Sequence, residues 1–450
     1  MASAAEQLAQ NMSFSSFAKA KELQQRILFT IGILIVYRIG TFVPIPGIDP
    51  QQYAQLFEQF QGGILSMFNT LGGGAVERMA IFALNVMPYI SASIIMQLMS
   101  ATIPSLEKMK KEGGEQGRQQ INQYTRYLTV VLATGQALAI ALQMNTVSPD
   151  GTSLAVHPGP FFIVSTVTTL VGGTMLLLWL GEQITSRGVG NGVSLIIFAG
   201  IISAVPGLLG NAFGQAASGA ITPAVFFFGV LMVLAGLVLV VFIERSQRRL
   251  LVQYPKRQQG NRMVGGDTSF LPLKLNTAGV IPPIFASSLL LLPATAAQFQ
   301  AQSGPQWLQT VVAYLGAGSP LFLTLYAALI IFFCFFYTSV VFNPEDTADN
   351  LRKYGGFVPG IRPGKNTAAY FDYVLTRLTT IGAIYLVFVC LLPEVLRRYM
   401  PEIPFYIGGT SLLIVVSVTM DTVTQIQSHL IAHQYEGLIK KSRLGGKRRR

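Results

Sequence analysis

Two histidines, His429 and His433, stand one helical turn apart, the spacing at which paired imidazoles on a helix face hold zinc. The zinc-protease motif needs a glutamate directly after the first histidine as general base, and Leu430 occupies that position with no third ligand evident. The pair reads as solvated side chains at a helix end. Gly192-Val193-Ser194-Leu195-Ile196 lacks the final glycine of the elbow that sets a serine nucleophile on a tight turn. Gly188-Val189-Gly190-Asn191-Gly192 lacks the strand and the spaced third glycine of a dinucleotide loop. Cys334 and Cys390, the only cysteines, lie inside apolar runs and read as small buried residues, not as a disulfide framework. The sequence therefore predicts no enzyme, no cofactor and no metal. What remains is physical chemistry: Ile90, Ile197, Ile284 and Ile414, each set among small residues in an interrupted apolar run.

The elements that carry these residues belong in lipid. The chain has 450 residues, 51% hydrophobic and 12% charged, where a soluble domain carries about 25% charged residues. A spanning helix needs about 20 mostly apolar residues. Such runs fall near 26–43, 79–103, 127–144, 161–181, 192–209, 221–243, 277–297, 319–342, 373–393 and 405–428. The second, fifth and tenth are broken by Gly, Pro or polar residues. The polar N-terminus carries no cleavable-signal pattern, so the first run is expected to span and stay.

Lys and Arg concentrate in loops on one side of a membrane protein, the cytoplasmic side. Loops 104–126, 244–274 and 343–377 and the tail are basic, whereas 145–160, 206–221 and 297–318 contain neither residue. Only Arg38, Arg78, Arg397 and Arg398 fall on the other side of a ten-span reading. Both termini are then cytoplasmic. The loops near 244–274 and 343–377 are longer and more basic than topology requires, and a net charge of +12 would steer an acidic partner or ribosomal RNA toward them.

Two pairs of segments resemble each other. Pro88-Tyr89-Ile90-Ser91-Ala92-Ser93 aligns with Pro282-Pro283-Ile284-Phe285-Ala286-Ser287, and Gly192-Val193-Ser194-Leu195-Ile196-Ile197 with Gly409-Thr410-Ser411-Leu412-Leu413-Ile414. Span two matches seven and span five matches ten, the order a five-plus-five duplication leaves. An odd number of spans per half inverts the second half, and interrupted spans in such repeats point to a pathway. The aligned isoleucines predict a soft aliphatic constriction that gates by dewetting. The spans are nearly free of ionisable residues; Asn85, Gln97 and Gln136 are the main polar intrusions, with Asp421 and Glu182 near helix ends. The rival reading, a secondary transporter with inverted repeats, requires a compact polar site at mid-membrane, and the sequence offers none. A further apolar piece, Ile64-Leu65-Ser66-Met67-Phe68, is too short to span and is bracketed by Gly62-Gly63 and Gly72-Gly73-Gly74. It reads as an interfacial or re-entrant segment that glycine on both flanks would free to move as a unit.

From about Gln25 to Glu436 the chain resembles the SecY family of bacterial protein-translocase channels. The resemblance rests on Ile81-Phe82-Ala83-Leu84 with Met87-Pro88-Tyr89-Ile90-Ser91-Ala92-Ser93, Gln123-Tyr124-Thr125-Arg126, and Gly181-Glu182-Gln183-Ile184-Thr185 running into Gly190-Asn191-Gly192. It continues through Ala278-Gly279-Val280-Ile281-Pro282, Phe342-Asn343-Pro344, Ala348-Asp349-Asn350 and Phe357-Val358-Pro359-Gly360-Ile361-Arg362-Pro363-Gly364.

The resemblance implies an all-α integral membrane protein of the bacterial inner membrane, with about ten transmembrane helices in two inverted five-helix halves around an hourglass pore. Its parts would be a cytoplasmic segment 1–25, a first half 26–210 containing a plug at 62–74, and a second half 211–432. The second half would carry the basic loops 244–274 and 343–372, and a basic tail would occupy 433–450. Val86, Ile90, Val193, Ile197, Ile284 and Ile414 would form the pore ring, and Ile64, Leu65, Met67 and Phe68 the plug. Spans two and seven would form a lateral gate. Lys256, Arg257 and Arg362 would dock the ribosome or the SecA motor. SecE and SecG subunits, signal-sequence-bearing polypeptides and the lipid bilayer complete the implied partners. Asn85 departs from the pattern, since similar proteins often carry glycine there, and its amide is expected to alter hydration or gating beside the ring.

Overall fold

The computed structural model describes residues 21–49, 52–53, 69–145, 155–219, 221–254, 257–259, 262–264, 268–300, 319–399 and 408–446. Helices dominate: α1 (Lys21–Gly40), α2 (Met87–Thr102), α3 (Pro104–Glu112), α4 (Gly114–Asn145), α5 (Pro160–Arg187), α6 (Gly192–Ala217) and α7 (Pro223–Arg245) precede four short strands. The strands are β1 (Gln247–Gln253), β2 (Arg257–Gln259), β3 (Arg262–Val264) and β4 (Thr268–Lys274), followed by α8 (Ile281–Gln300), α9 (Pro320–Val341), α10 (Pro344–Lys353), α11 (Lys365–Tyr399) and α12 (Gly409–Gly446).

Proline opens several helices at the position where its missing N–H costs nothing. Ser319 and Asn343 cap α9 and α10 by accepting the amides of Phe322 and Glu345 at 3.1 and 3.0 Å.

Among the described residues, eight helices are long and apolar enough to cross a bilayer, or nine if α2 and α3 form one broken span. The break is a 101° bend. Pro104 disfavours helical geometry in the residue before it, and Ile103 is extended at φ −95°, ψ 116°. The apolar stretch of α8, Ile281–Leu290, is shorter. Only 11% of the apolar window of α7 is covered by protein, which requires lipid or a partner around the rest.

The chain forms two compact units: Met1–Ala92, Gln123–Gly207 and Ile414–Arg450 in the first, Ser93–Asn122 and Leu208–Leu413 in the second. In the first unit α1 packs on α5. The chain leaving α1 pairs with the stretch before α2, Ile45 N donating to Met79 O and Ile81 N to Val43 O at 3.0 and 2.9 Å. Beneath lies a core of Ile45, Ile48, Met79, Phe162 and Leu170. Tyr53 packs against this core, and burial pushes its hydroxyl pKa up to about 12. The 188–192 loop is strapped down by side chains: Val189 N donates to Thr30 Oγ1, Gly190 N to Gln425 Oε1 and Gly192 N to Thr185 Oγ1.

In the second unit α9 packs against α8 and α11. The basic 244–274 loop carries strands that its apolar pattern does not announce. β1 pairs antiparallel with β4 from Gln247↔Lys274 to Gln253↔Thr268, and β2 pairs with β3. Gln253 also exchanges two 2.9 Å backbone hydrogen bonds with Phe357. Leu250 and Leu273 from one basic loop, Ala348 and Val358 from the other, and Phe371, Val374, Leu375 and Leu378 of α11 close over one core. The two loops are therefore one body. Phe371 is fully buried, so Phe371→Ala is expected to cost about 3–5 kcal/mol locally. Limited proteolysis should then cut both loops while the spans stay resistant; unchanged cutting would show that the loops fold separately.

Candidate functional site

The aligned segments have the same local build in each unit. Pro88 is the second residue of α2, and Pro282 is the second residue of α8. Three residues before each proline the backbone turns left-handed, at φ +51° for Asn85 and φ +64° for Gly279. Glycine adopts that region without steric cost, and asparagine is among the few other residues that tolerate it. Asn85 therefore meets the same left-handed requirement that Gly279 meets at the aligned position.

The second aligned pair behaves likewise. Gly192 opens α6 against the Gly181 carbonyl of the preceding span, and Gly409 opens α12 against the Val389 carbonyl of its preceding span. A Cβ at either position would drive into backbone.

Equivalent starts place the isoleucines of each aligned pair at equivalent positions within their own helices. Ile90 and Ile284 are the fourth residues of α2 and α8; Ile197 and Ile414 are the sixth residues of α6 and α12. At 1.5 Å rise per residue, all four lie within the first two turns of their helices. Val86 immediately precedes α2, and Val193 is the second residue of α6. Val86, Ile90, Ile197 and Ile414 are buried; Val193 and Ile284 are half-buried. Val86, Ile90, Val193, Ile197 and Ile414 belong to the first unit and Ile284 to the second. Asn85, beside Val86, is buried with one half of its amide bonded and its Oδ1 without a hydrogen-bond partner among the described residues. It is 4% exposed, and its Nδ2 donates to the Leu71 carbonyl at 3.1 Å.

Ile64, Leu65, Met67 and Phe68, expected to form a plug, lie outside the described residues, as does Lys256. Arg257 is in β2, and Arg362 is exposed in the turn before α11. His429 is exposed on α12. Near Tyr89 of α2, Arg126 and Glu182 form a half-exposed ion pair across α4 and α5, with Arg126 Nη2 at 2.6 Å from Glu182 Oε1.

The residues that hold the turn before α2 escaped sequence reasoning. Tyr37 and Arg38 of α1 reach the 72–73 backbone, and Gly200 of α6 lies beneath it. The available signal was Arg38 itself, one of four basic residues off the expected side.

The model of the SecY family matches residues 80–423. The protein translocase subunit SecY of Rickettsia bellii is 53% identical over 439 residues, covering 96% of this chain and 99% of that protein. A solved structure described as that of a protein conducting channel superposes with a TM-score of 0.64 at 17% identity, covering 90% of this chain and 92% of the other. Sec61 in the canine ribosome–channel complex gives 0.60 at 16% identity over the same shares.

Proposed function

The chain belongs to the SecY family, and from that membership we infer that it is a protein-conducting channel of the general secretory pathway. It passes unfolded polypeptides across a membrane and releases apolar segments into lipid. One observation carries the reading: aliphatic side chains occupy equivalent turns of four helices that open alike at the aligned positions. An aliphatic constriction excludes water and ions by dewetting and moulds around a passing chain without recognising it.

We further propose the finer assignments. Val86, Ile90, Val193, Ile197, Ile284 and Ile414 form the seal, and 62–74 forms the plug that backs it. The membrane is the bacterial inner membrane, with both termini cytoplasmic, which the alternation of basic loops with loops that lack Lys and Arg supports. SecE and SecG are its companion subunits. The ribosome and the SecA motor dock through Lys256, Arg257 and Arg362; the fusion of both basic loops into one body supports a single docking surface. The chain is no enzyme, and energy enters from the bound partner.

The test is reconstitution with companion subunits in proteoliposomes supplied with motor and ATP. A signal-bearing preprotein is expected to become protease-protected inside. Saturable, ion-coupled accumulation of a small solute without preprotein passage would replace this reading with the transporter.

A further inference from the structure

Asn276 joins separate stretches of the second unit just before α8 begins. It is 4% exposed, and its Nδ2 donates to Glu244 Oε1 of α7 at 2.7 Å and to the Gly279 carbonyl at 3.0 Å. Both partners accept, so they engage both protons of the amide nitrogen. The bond to the Glu244 carboxylate is charge-assisted, the stronger kind. Next to it, Leu275 N donates at 3.0 Å to Ser246 O, the residue that caps the end of α7. Gly382 of α11 closes the other side, where an added Cβ would stand 3.1 Å from the Leu275 carbonyl and 3.8 Å from Asn276 Oδ1. At the aligned turn before α2 the left-handed residue brings its own amide, Asn85 to Leu71 O. Gly279 has no side chain to do the same. Asn276, three residues earlier, supplies the amide.

The first four N–H groups of a helix have no intrahelical acceptor, so its first turn is held by what precedes it. Ile284 is the fourth residue of α8 and five residues past Gly279. Its place is handed on from the turn that Asn276 holds. The strand β4 ends at Lys274, two residues before Asn276, so the same short linker leads from the basic-loop body into α8.

We propose that Asn276 and Glu244 are positioning residues. Their bond clasps the 275–279 turn to the end of α7 and sets where Ile284 stands. This inference rests on the assignment of Ile284 to the seal.

The test uses the assembled channel in proteoliposomes without preprotein. Asn276→Ala and Glu244→Ala are each expected to raise cation leak about tenfold, because each loses a buried bond to or from a charged group. Asn276→Asp with Glu244→Gln exchanges donor and acceptor between the same two side chains and keeps the net charge. That pair is expected to leak within about threefold of the parent. A parent-like leak in either alanine variant, or an exchanged pair as leaky as they are, overturns the clasp. Where an alanine variant fails to assemble, recovery of assembly by the exchanged pair supports the bond, and no recovery overturns it.

A nitroxide on Ile284→Cys, with Cys334 and Cys390 replaced by alanine, reads position independently of conduction. Adding Asn276→Ala is expected to raise the mobility of that label, and an unchanged spectrum overturns the clasp. Ile284→Asn separates the two claims: a parent-like leak there defeats the seal assignment, while the label still decides the clasp.

Discussion

Replacing Ile90, Ile197 and Ile414 together by asparagine raises the ion leak of the idle channel by about two orders of magnitude, since each buried aliphatic side chain contributes about 1.5–3 kcal/mol against water entry. Three such changes exceed the ~2.7 kcal/mol that a hundredfold change requires, even with much of the loss recovered by rearrangement. All three side chains are less than 10% exposed: Ile90 8%, Ile197 7% and Ile414 2%. Each sits within two turns of a helix start, where a polar side chain would hydrate the constriction. The measurement is efflux of a small cation from proteoliposomes holding the assembled channel and no preprotein. The same three positions changed to valine shorten the collar without wetting it, and that leak should stay within about threefold of the parent. If the asparagine variant inserted and assembled normally yet leaked no more than the parent, the aliphatic seal would be wrong.

Gly192→Leu and Gly409→Leu are each expected to cost the protein its folded state in detergent. At both sites the glycine is pressed on a backbone carbonyl, of Gly181 and Val389 respectively. Overpacking a core side chain costs about 1–3 kcal/mol, and a carbonyl inside a helix has less freedom to yield than a side chain. Two spans would be forced apart at their joint, and the aliphatic residue five positions on would be misplaced. Thermal unfolding followed by size-exclusion chromatography reads this directly. Both variants should aggregate at temperatures the parent survives, and Gly207→Leu, where nothing lies within 4 Å of an added Cβ, should not. A parent-like transition for either variant would remove the case that the aligned glycines do the same structural job.

Much of the architecture was legible in the chain because it depends on local composition. Apolar runs long enough for a bilayer mark the helices. The aligned proline and glycine segments announced the repeat, and the four isoleucines stood out from the same alignment. Family motifs supplied the rest of the functional reading.

Other features come from contacts between residues far apart in the chain, and no window of sequence contains them. Asn85 was visible as a polar intrusion, but not its left-handed backbone or the bond from its Nδ2 to the Leu71 carbonyl fourteen residues earlier. The glycines at 72–74 suggested freedom; Tyr37, Arg38 and Gly200, distant in sequence, turn them into an anchor. The two basic loops read as separate charged excursions. Reciprocal bonds between Gln253 and Phe357 and a shared core under Phe371 join them. Hydropathy reports how each segment meets its solvent, so it reveals spans. Which carbonyl meets which side chain depends on the packed fold, and only the packed fold decides it.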